Sequence, residues 1–181
     1  MLKKLSTISS ETISVNPYWE YRRDNYFLPS DTIAEYHYVH TPGSTIVIPR
    51  CEDGTFLVVR QYRYLLQSES MEFPCGGLKK ELTPEANARL ELREEGGCTA
   101  GKLELIGKFA PCNGLTDEIC YVYFAEGLIF VAPEPEDSEE FEILSLTTSQ
   151  INNYIQRGEI WDGMTLAAWT LYLQWDFAQR Q

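Results

Sequence analysis

The order of elements predicts an α+β fold, an α/β/α sandwich on a mixed β-sheet, with one glutamate-bearing helix lying against a sheet face. Three observations carry this expectation. β-rich segments at Ile33 to His40, Thr45 to Pro49 and Thr55 to Tyr62 precede a sharply bounded helix. Two more, Lys102 to Phe109 and Ile119 to Glu126, follow it, and the chain closes on helical segments. This order alone fits several folds of the class. With 181 residues, 44% of them hydrophobic, there is material for one packed domain and a small appendage, not for two full domains.

Residues 1–42 read as a β-rich N-terminal extension and residues 43–181 as the main domain. The extension is polar but dense in aromatics: Tyr18, Trp19, Tyr21, Tyr26, Phe27, Tyr36 and Tyr38. So many rings need cover. Two readings are open: they pack onto the domain that follows, or they form a dimer surface with a stacking platform for a base. Ser30-Asp31 marks a turn before Ile33 to His40. Glu52-Asp53-Gly54 is a turn between the next two segments, which are expected to form a hairpin. Alternation in the second of these sends Arg60 and Tyr62 to one side and Gln61 and Arg63 to the other.

The central helix is marked by its ends. Thr83 is a good N-cap, Pro84 sits at the first helical position where its missing N–H costs nothing, and Gly96-Gly97 ends the run, so the helix spans Pro84 to about Glu95. Glu91, Glu94 and Glu95 stand at i, i+3 and i+4, which projects three carboxylates from one face. Their repulsion is relieved either by solvent, with Arg89 and Arg93 nearby, or by a hard divalent cation among the oxygens.

The frame around these residues resembles the Nudix box: Gly, five residues, Glu, seven residues, then Arg-Glu-aliphatic-x-Glu-Glu-x-Gly-aliphatic. Laid on without a gap, Gly76 takes the first glycine, Glu91 the first helix glutamate, Leu92 the aliphatic place, Glu94 and Glu95 the paired glutamates, Gly97 the last glycine, and Cys98 the final apolar place. Two positions depart from the pattern. Leu82 stands where the first glutamate belongs and Leu90 where the arginine belongs. In the family those two residues pair and help orient the helix glutamates. Exchanging both members for apolar groups is often neutral, whereas losing one strands a charge. The departure reads as a substituted brace with the metal face retained, with a decayed enzyme as the alternative.

The string Val58 to Tyr64, followed by Met71-Glu-Phe-Pro-Cys-Gly76, is similar to the run before the box in the ADP-ribose pyrophosphatase branch, and the similarity extends from about Thr41 to the C-terminus. The resemblance implies a Nudix-type sandwich and assigns roles. Glu91, Glu94 and Glu95 carry Mg²⁺, for which Mn²⁺ can substitute, and the backbone carbonyl of Cys75 joins them. Glu95 and Glu139 are catalytic, Glu139 as the base that takes the proton of the attacking water. Arg63, Glu72, Gly76, Trp19 and Glu118 meet the substrate, with Trp19 acting across a homodimer. Residues alone make Glu118 equally a turn residue, and make the Cys75 thiol a small packed group with no neighbouring histidine to activate it.

Beyond the box, Ala110 to Glu118 is a turn-rich loop in which Cys112-Asn113-Gly114 replaces the Ser-Pro-Gly common in the branch, which leaves the terminal sugar open. Pro133 to Glu142 is an acidic run with two prolines, most simply a solvated loop. A strand from Phe141 to Leu146 precedes a helix from about Ser149 to Arg157 capped by Thr148, and Met164 to about Phe177 forms a last helix whose Leu166, Trp169, Leu173 and Trp175 point to a core.

The net charge of −12 argues against nucleic acid or an anionic membrane as partner, while a cation still lets an acidic protein hold a polyphosphate. Five cysteines without C-x-x-C spacing, and an N-terminus without an apolar signal region, point to a reducing cytoplasm. The function implied is Mg²⁺-dependent hydrolysis of a nucleoside diphosphate sugar, ADP-ribose before others, to AMP and ribose 5-phosphate. The alternatives are a nucleotide-binding or regulatory Nudix domain of weak or no activity, or a hydrolase of GDP-sugars or dinucleoside polyphosphates.

Overall fold

The computed structural model describes residues 3–132 and 140–181. Its strands form three sheets. The first is an antiparallel meander of β1 (Thr7–Val15), β2 (Glu20–Phe27) and β3 (Ile33–His40). The second is mixed, in the order β7 (Cys75–Gly77), β4 (Ser44–Pro49), β9 (Cys120–Phe130), β8 (Cys98–Phe109), with β4 and β9 parallel and the outer pairs antiparallel. The third places β5 (Phe56–Arg63) between β10 (Phe141–Leu146) and β6 (Ser68–Glu72). Helices α1 (Pro84–Glu94), α2 (Thr148–Gln156) and α3 (Gly163–Gln179) complete the fold.

β4 is buried at every residue, as a central parallel strand must be, and its alternation divides the core in two. Ile46 and Ile48, with Val122 and Phe124 of β9, face Trp169 and Tyr172 of α3 and Ile151 of α2. Val47, with Tyr123 and Ala125 of β9, faces Ala88 and Leu92 of α1. Helices on both faces of one sheet make the sandwich. The α3 side is densely aromatic: the Trp169 ring lies 5.1 Å from those of both Phe56 and Tyr172, edge-on to the first and stacked on the second. Asp162 caps α3 by accepting from Thr165 N–H at 2.7 Å, and Thr165 Oγ1 in turn accepts from Phe73 N–H at 3.3 Å, which ties the helix start to the end of β6.

Several local expectations change in detail. β4 and β5 are not a hairpin: they meet only at an isolated Arg50 to Phe56 bridge and then diverge into different sheets. The turn does close, with Cys51 N–H donating to Thr55 C=O at 2.8 Å, but both edges of β4 are taken by β7 and β9. The cap of α2 is Thr147, not Thr148, because Thr147 and Gln150 form a reciprocal capping box. In α3 the buried face is Thr165, Ala168, Trp169 and Tyr172, and Leu173 is exposed.

The β1–β3 sheet touches the main body at few points. Val39 N–H donates to Leu115 C=O at 2.9 Å and Tyr36 Oη to Gly114 C=O at 3.0 Å, so the Cys112-Asn113-Gly114 loop braces this sheet. Ile8, Ile13, Val15, Phe27 and Ile33 stay exposed.

Because Trp169 is shared by the Phe56, Phe73 and Tyr172 contacts, Trp169→Ala is expected to cost about 3–5 kcal/mol of stability, read as a lowered midpoint in urea followed by far-ultraviolet circular dichroism.

Candidate active site

The rotation of α1 sets the site. Ala88 and Leu92 pack into the core one turn apart, which brings Asn87, Glu91 and Glu95 along the neighbouring stripe against β7. Thr83 caps the helix by accepting from Ala86 N–H at 3.2 Å. The helix proper ends at Glu94, with Glu95 as its C-cap and Gly97 in the left-handed region at φ 57°.

Glu91 and Glu95 are each only 6% exposed, unusual for carboxylates. They line a cleft of about 620 Å³ together with Glu94, Glu118, Cys75, Gly76 and Lys79, and with Pro17 and Tyr18 at its other side. Glu95 Oε2 accepts from the Cys75 N–H at 2.8 Å. Glu94 lies 3.4 Å from Lys79 Nζ, and Glu118 Oε1 accepts from Ser44 Oγ at 2.6 Å. Asp117 holds the cleft wall, accepting from Thr41 N–H at 3.2 Å and lying 2.6 Å from His40 Nδ1.

β7 is an edge strand, and its register decides which backbone groups face the cleft. Val47 N–H donates to Pro74 C=O and Leu78 N–H to Gly43 C=O, so residues 74, 76 and 78 bond with β4 while Cys75 turns both its N–H and its C=O outward. The Cys75 carbonyl therefore lies on the side of the Glu95 carboxylate. Its thiol points elsewhere, toward Cys120, and that contact together with burial pushes it well above the usual thiol range. Such a thiol is no nucleophile at neutral pH. Gly76 leaves room for the Glu91 carboxylate: a Cβ there would overlap that group and have to displace it.

The other expected site residues fall differently. Arg63 and Glu72 form a two-point ion pair, with Arg63 Nε donating to Glu72 Oε1 at 2.7 Å and its terminal nitrogen to Glu72 Oε2. This bond to a buried carboxylate holds the guanidinium proton even more firmly than usual. Neither residue lines the cleft within the one chain. Nor does Trp19; its neighbour Tyr18 does, because Asn16 Oδ1 accepts from the N–H groups of both residues and turns the chain between them. Glu139 lies outside the described residues. Leu82 and Leu90 are half-buried and pack into neither core cluster.

The donor set suits a hard divalent cation: side-chain carboxylates together with the outward carbonyl of Cys75, whose thiol is turned toward Cys120. Among the described residues no three His, Cys, Asp or Glu side chains already converge as a closed cage. The carboxylates instead line a cleft with room for a ligand between them.

This combination of sandwich, carboxylate helix and open cleft is that of a hydrolase. A family model described as the NUDIX domain matches residues 39–161, and the chain belongs to the Nudix hydrolase family. An ADP-ribose pyrophosphatase of Bacillus subtilis (strain 168) is 32% identical over 170 residues, covering 93% of this chain and 91% of its own length. The methanol dehydrogenase activator of Bacillus methanolicus is 31% identical over the same length and coverage. Among solved structures, an ADP compounds hydrolase superposes with a TM-score of 0.85 at 16% identity, covering 99% of this chain and 97% of the other.

Gly76→Ala is expected to displace Glu91 and weaken divalent-cation binding by at least about tenfold, with the fold intact; calorimetric titration with Mn²⁺ beside a circular dichroism spectrum checks it.

Proposed function

We propose that the chain hydrolyses the diphosphate bond of nucleoside diphosphate sugars, ADP-ribose in particular, giving AMP and ribose 5-phosphate with Mg²⁺ or Mn²⁺. The observation that carries this reading is the gathering of Glu91, Glu94 and Glu95 beside the outward Cys75 peptide in one cleft. The choice of substrate is supported by the likeness to the Bacillus subtilis ADP-ribose pyrophosphatase.

Charge dictates the mechanism. A diphosphate entering a cleft lined by four glutamates meets repulsion that Lys79 and Lys80 offset only in part. Glu91, Glu94, Glu95 and the Cys75 carbonyl would hold the divalent ion. When bound, it neutralises phosphoryl oxygens and acidifies water. Water attacks one phosphorus, its proton passes to Glu139, and the bridging oxygen departs with the other phosphate. The role of Glu139 rests on the family resemblance. The family resemblance assigns Arg63, held by Glu72 beyond the single-chain cleft, to negative oxygens of the substrate, and Glu118, braced by Ser44, shapes the wall near the sugar. Tyr18 extends an exposed ring at the cleft mouth, where a base or ribose can stack.

We further propose that the chain works as a homodimer through the 1–42 extension, since Ile8, Ile13, Val15, Phe27 and Ile33 of β1–β3 lack cover within one chain. Its setting is a reducing cytoplasm, supported by five free cysteines, two of them buried. Among the described residues no helix is long and apolar enough to cross a membrane.

With ADP-ribose and Mg²⁺, chromatography is expected to show AMP and ribose 5-phosphate released in equal amounts, and Glu95→Gln and Glu139→Gln each to lower kcat by about 10²-fold or more. Absence of AMP release from ADP-ribose and from a panel of other nucleotide sugars, with Mn²⁺ binding retained, would support a regulatory module instead. For assembly, light scattering is expected to give twice the chain mass, and Ile13→Glu with Val15→Glu to shift it to the single-chain mass.

A further inference from the structure

The two leucines leave a physical question. Where the family pairs a glutamate with an arginine to steady the box, this chain has the half-buried Leu82 and Leu90, whose side chains carry no hydrogen-bonding group. Glu91 nevertheless lies nearly buried at the cleft wall, and the loop from Gly77 to Leu82 ends in a set position at the start of α1. Something else must fix both.

We infer that Asn87 is the positioning residue of this box, replacing the missing charged pair with a single buried amide that orients Glu91 and anchors the loop carrying Lys79. Asn87 is completely buried. Its Oδ1 accepts from Lys79 N–H at 3.0 Å. Its Nδ2 donates to Thr45 Oγ1 at 2.9 Å and reaches Glu91 Oε1 at 3.4 Å. One planar group thus joins the loop after β7, the central strand β4 and the cleft carboxylate.

Chemistry allows one orientation only. Lys79 N–H is a donor and must face the oxygen, while the carboxylate of Glu91 accepts and must face the NH₂; turning the amide over would set N–H against N–H and oxygen against oxygen. The amide therefore cannot relax by flipping, and its register is locked. On its far side the Glu91 carboxylate lies against Gly76, where a Cβ would overlap it, so the group sits between the Asn87 amide and the β7 backbone.

The exchange also has an electrostatic sense. An arginine brace steadies a carboxylate but neutralises charge beside it, whereas an amide donor favours the ionised form without adding charge. The Asn87 amide thus steadies Glu91 without itself offsetting the charge that draws a cation. Lys79, whose backbone Asn87 holds, reaches Glu94 at 3.4 Å, so the same amide anchors the backbone of a lysine that lines the cleft.

This inference rests on the metal-binding reading of the cleft, and the experiment separates the two. Mn²⁺ affinity is measured by calorimetry on the full chain for the wild type, Asn87→Ala, the isosteric Asn87→Asp, and the triple variant Asn87→Ala with Leu82→Glu and Leu90→Arg; melting temperature and the kcat and KM for ADP-ribose accompany it. Asn87→Ala and Asn87→Asp are expected to lose about 10- to 100-fold in Mn²⁺ affinity, with kcat falling further than KM rises. Asp keeps the acceptor for Lys79 but sets a second negative oxygen beside Glu91. The triple variant is expected to regain most of the Mn²⁺ affinity by restoring the charged pair, a recovery that a merely space-filling Asn87 would not produce. If Asn87→Ala fails to fold, Asn87→Asp and the triple variant decide. Wild-type Mn²⁺ affinity in Asn87→Asp, or no recovery in a folded triple variant, overturns the inference. No Mn²⁺ binding by the wild type overturns the reading of the cleft beneath it.

Discussion

The seating of α1 on the sheet through Ala88 and Leu92 is the constraint on which the rest depends. Both side chains are fully buried, and together with Val47 and Ala125 they leave the helix one rotation about its axis. That rotation carries Glu91 and Glu95 inward to β7 and leaves Arg89 and Arg93 away from the core. Had the apolar pair been one residue displaced, the carboxylates would lie about 100° away, in bulk solvent. The chemistry is therefore fixed by apolar packing before any polar contact is made.

Polar contacts then restrain what packing has brought together. Burying carboxylates is costly unless hydrogen bonds satisfy them. The Cys75 peptide supplies one donor to Glu95, and Ser44 supplies one to Glu118. The Arg63–Glu72 pair follows the same logic one strand away: Glu72 is buried, and the guanidinium bound at two points is what makes its charge tolerable. Glu95, Glu118 and Glu72 are each held by a group whose own place is set by a strand.

What the sequence disclosed was local or periodic. The Thr83 cap, Pro84 and the closing glycines bound α1 to within a residue, β3 runs where its β-rich composition puts it, and β10 where the family resemblance does. Pairing between distant segments was not legible. The β4–β5 turn looks like a hairpin because the competition from β9, more than seventy residues on, leaves no mark near it. That Tyr18 lines the cleft of its own chain was not legible either, since it follows from the turn in which Asn16 accepts from the N–H groups of both Tyr18 and Trp19. Asn87 did leave a signal, a polar residue four before Glu91 on the inward side of an amphipathic helix, but its meaning needs Lys79 and Thr45 in three dimensions.

A site that draws on the rim of a sheet has a consequence for how the sequence can drift. The free backbone groups of a terminal strand are ordinarily an invitation to a stray neighbour. Here the N–H of residue 75 is occupied by the protein's own carboxylate, which closes that invitation from within. Since the main chain does the work at position 75, its side chain is left to pack toward Cys120, whereas at position 76, one step along, any side chain would have to displace the Glu91 carboxylate. Neighbouring residues of one short strand thus answer to different demands, one to the packing behind the sheet and the other to the acid in front of it.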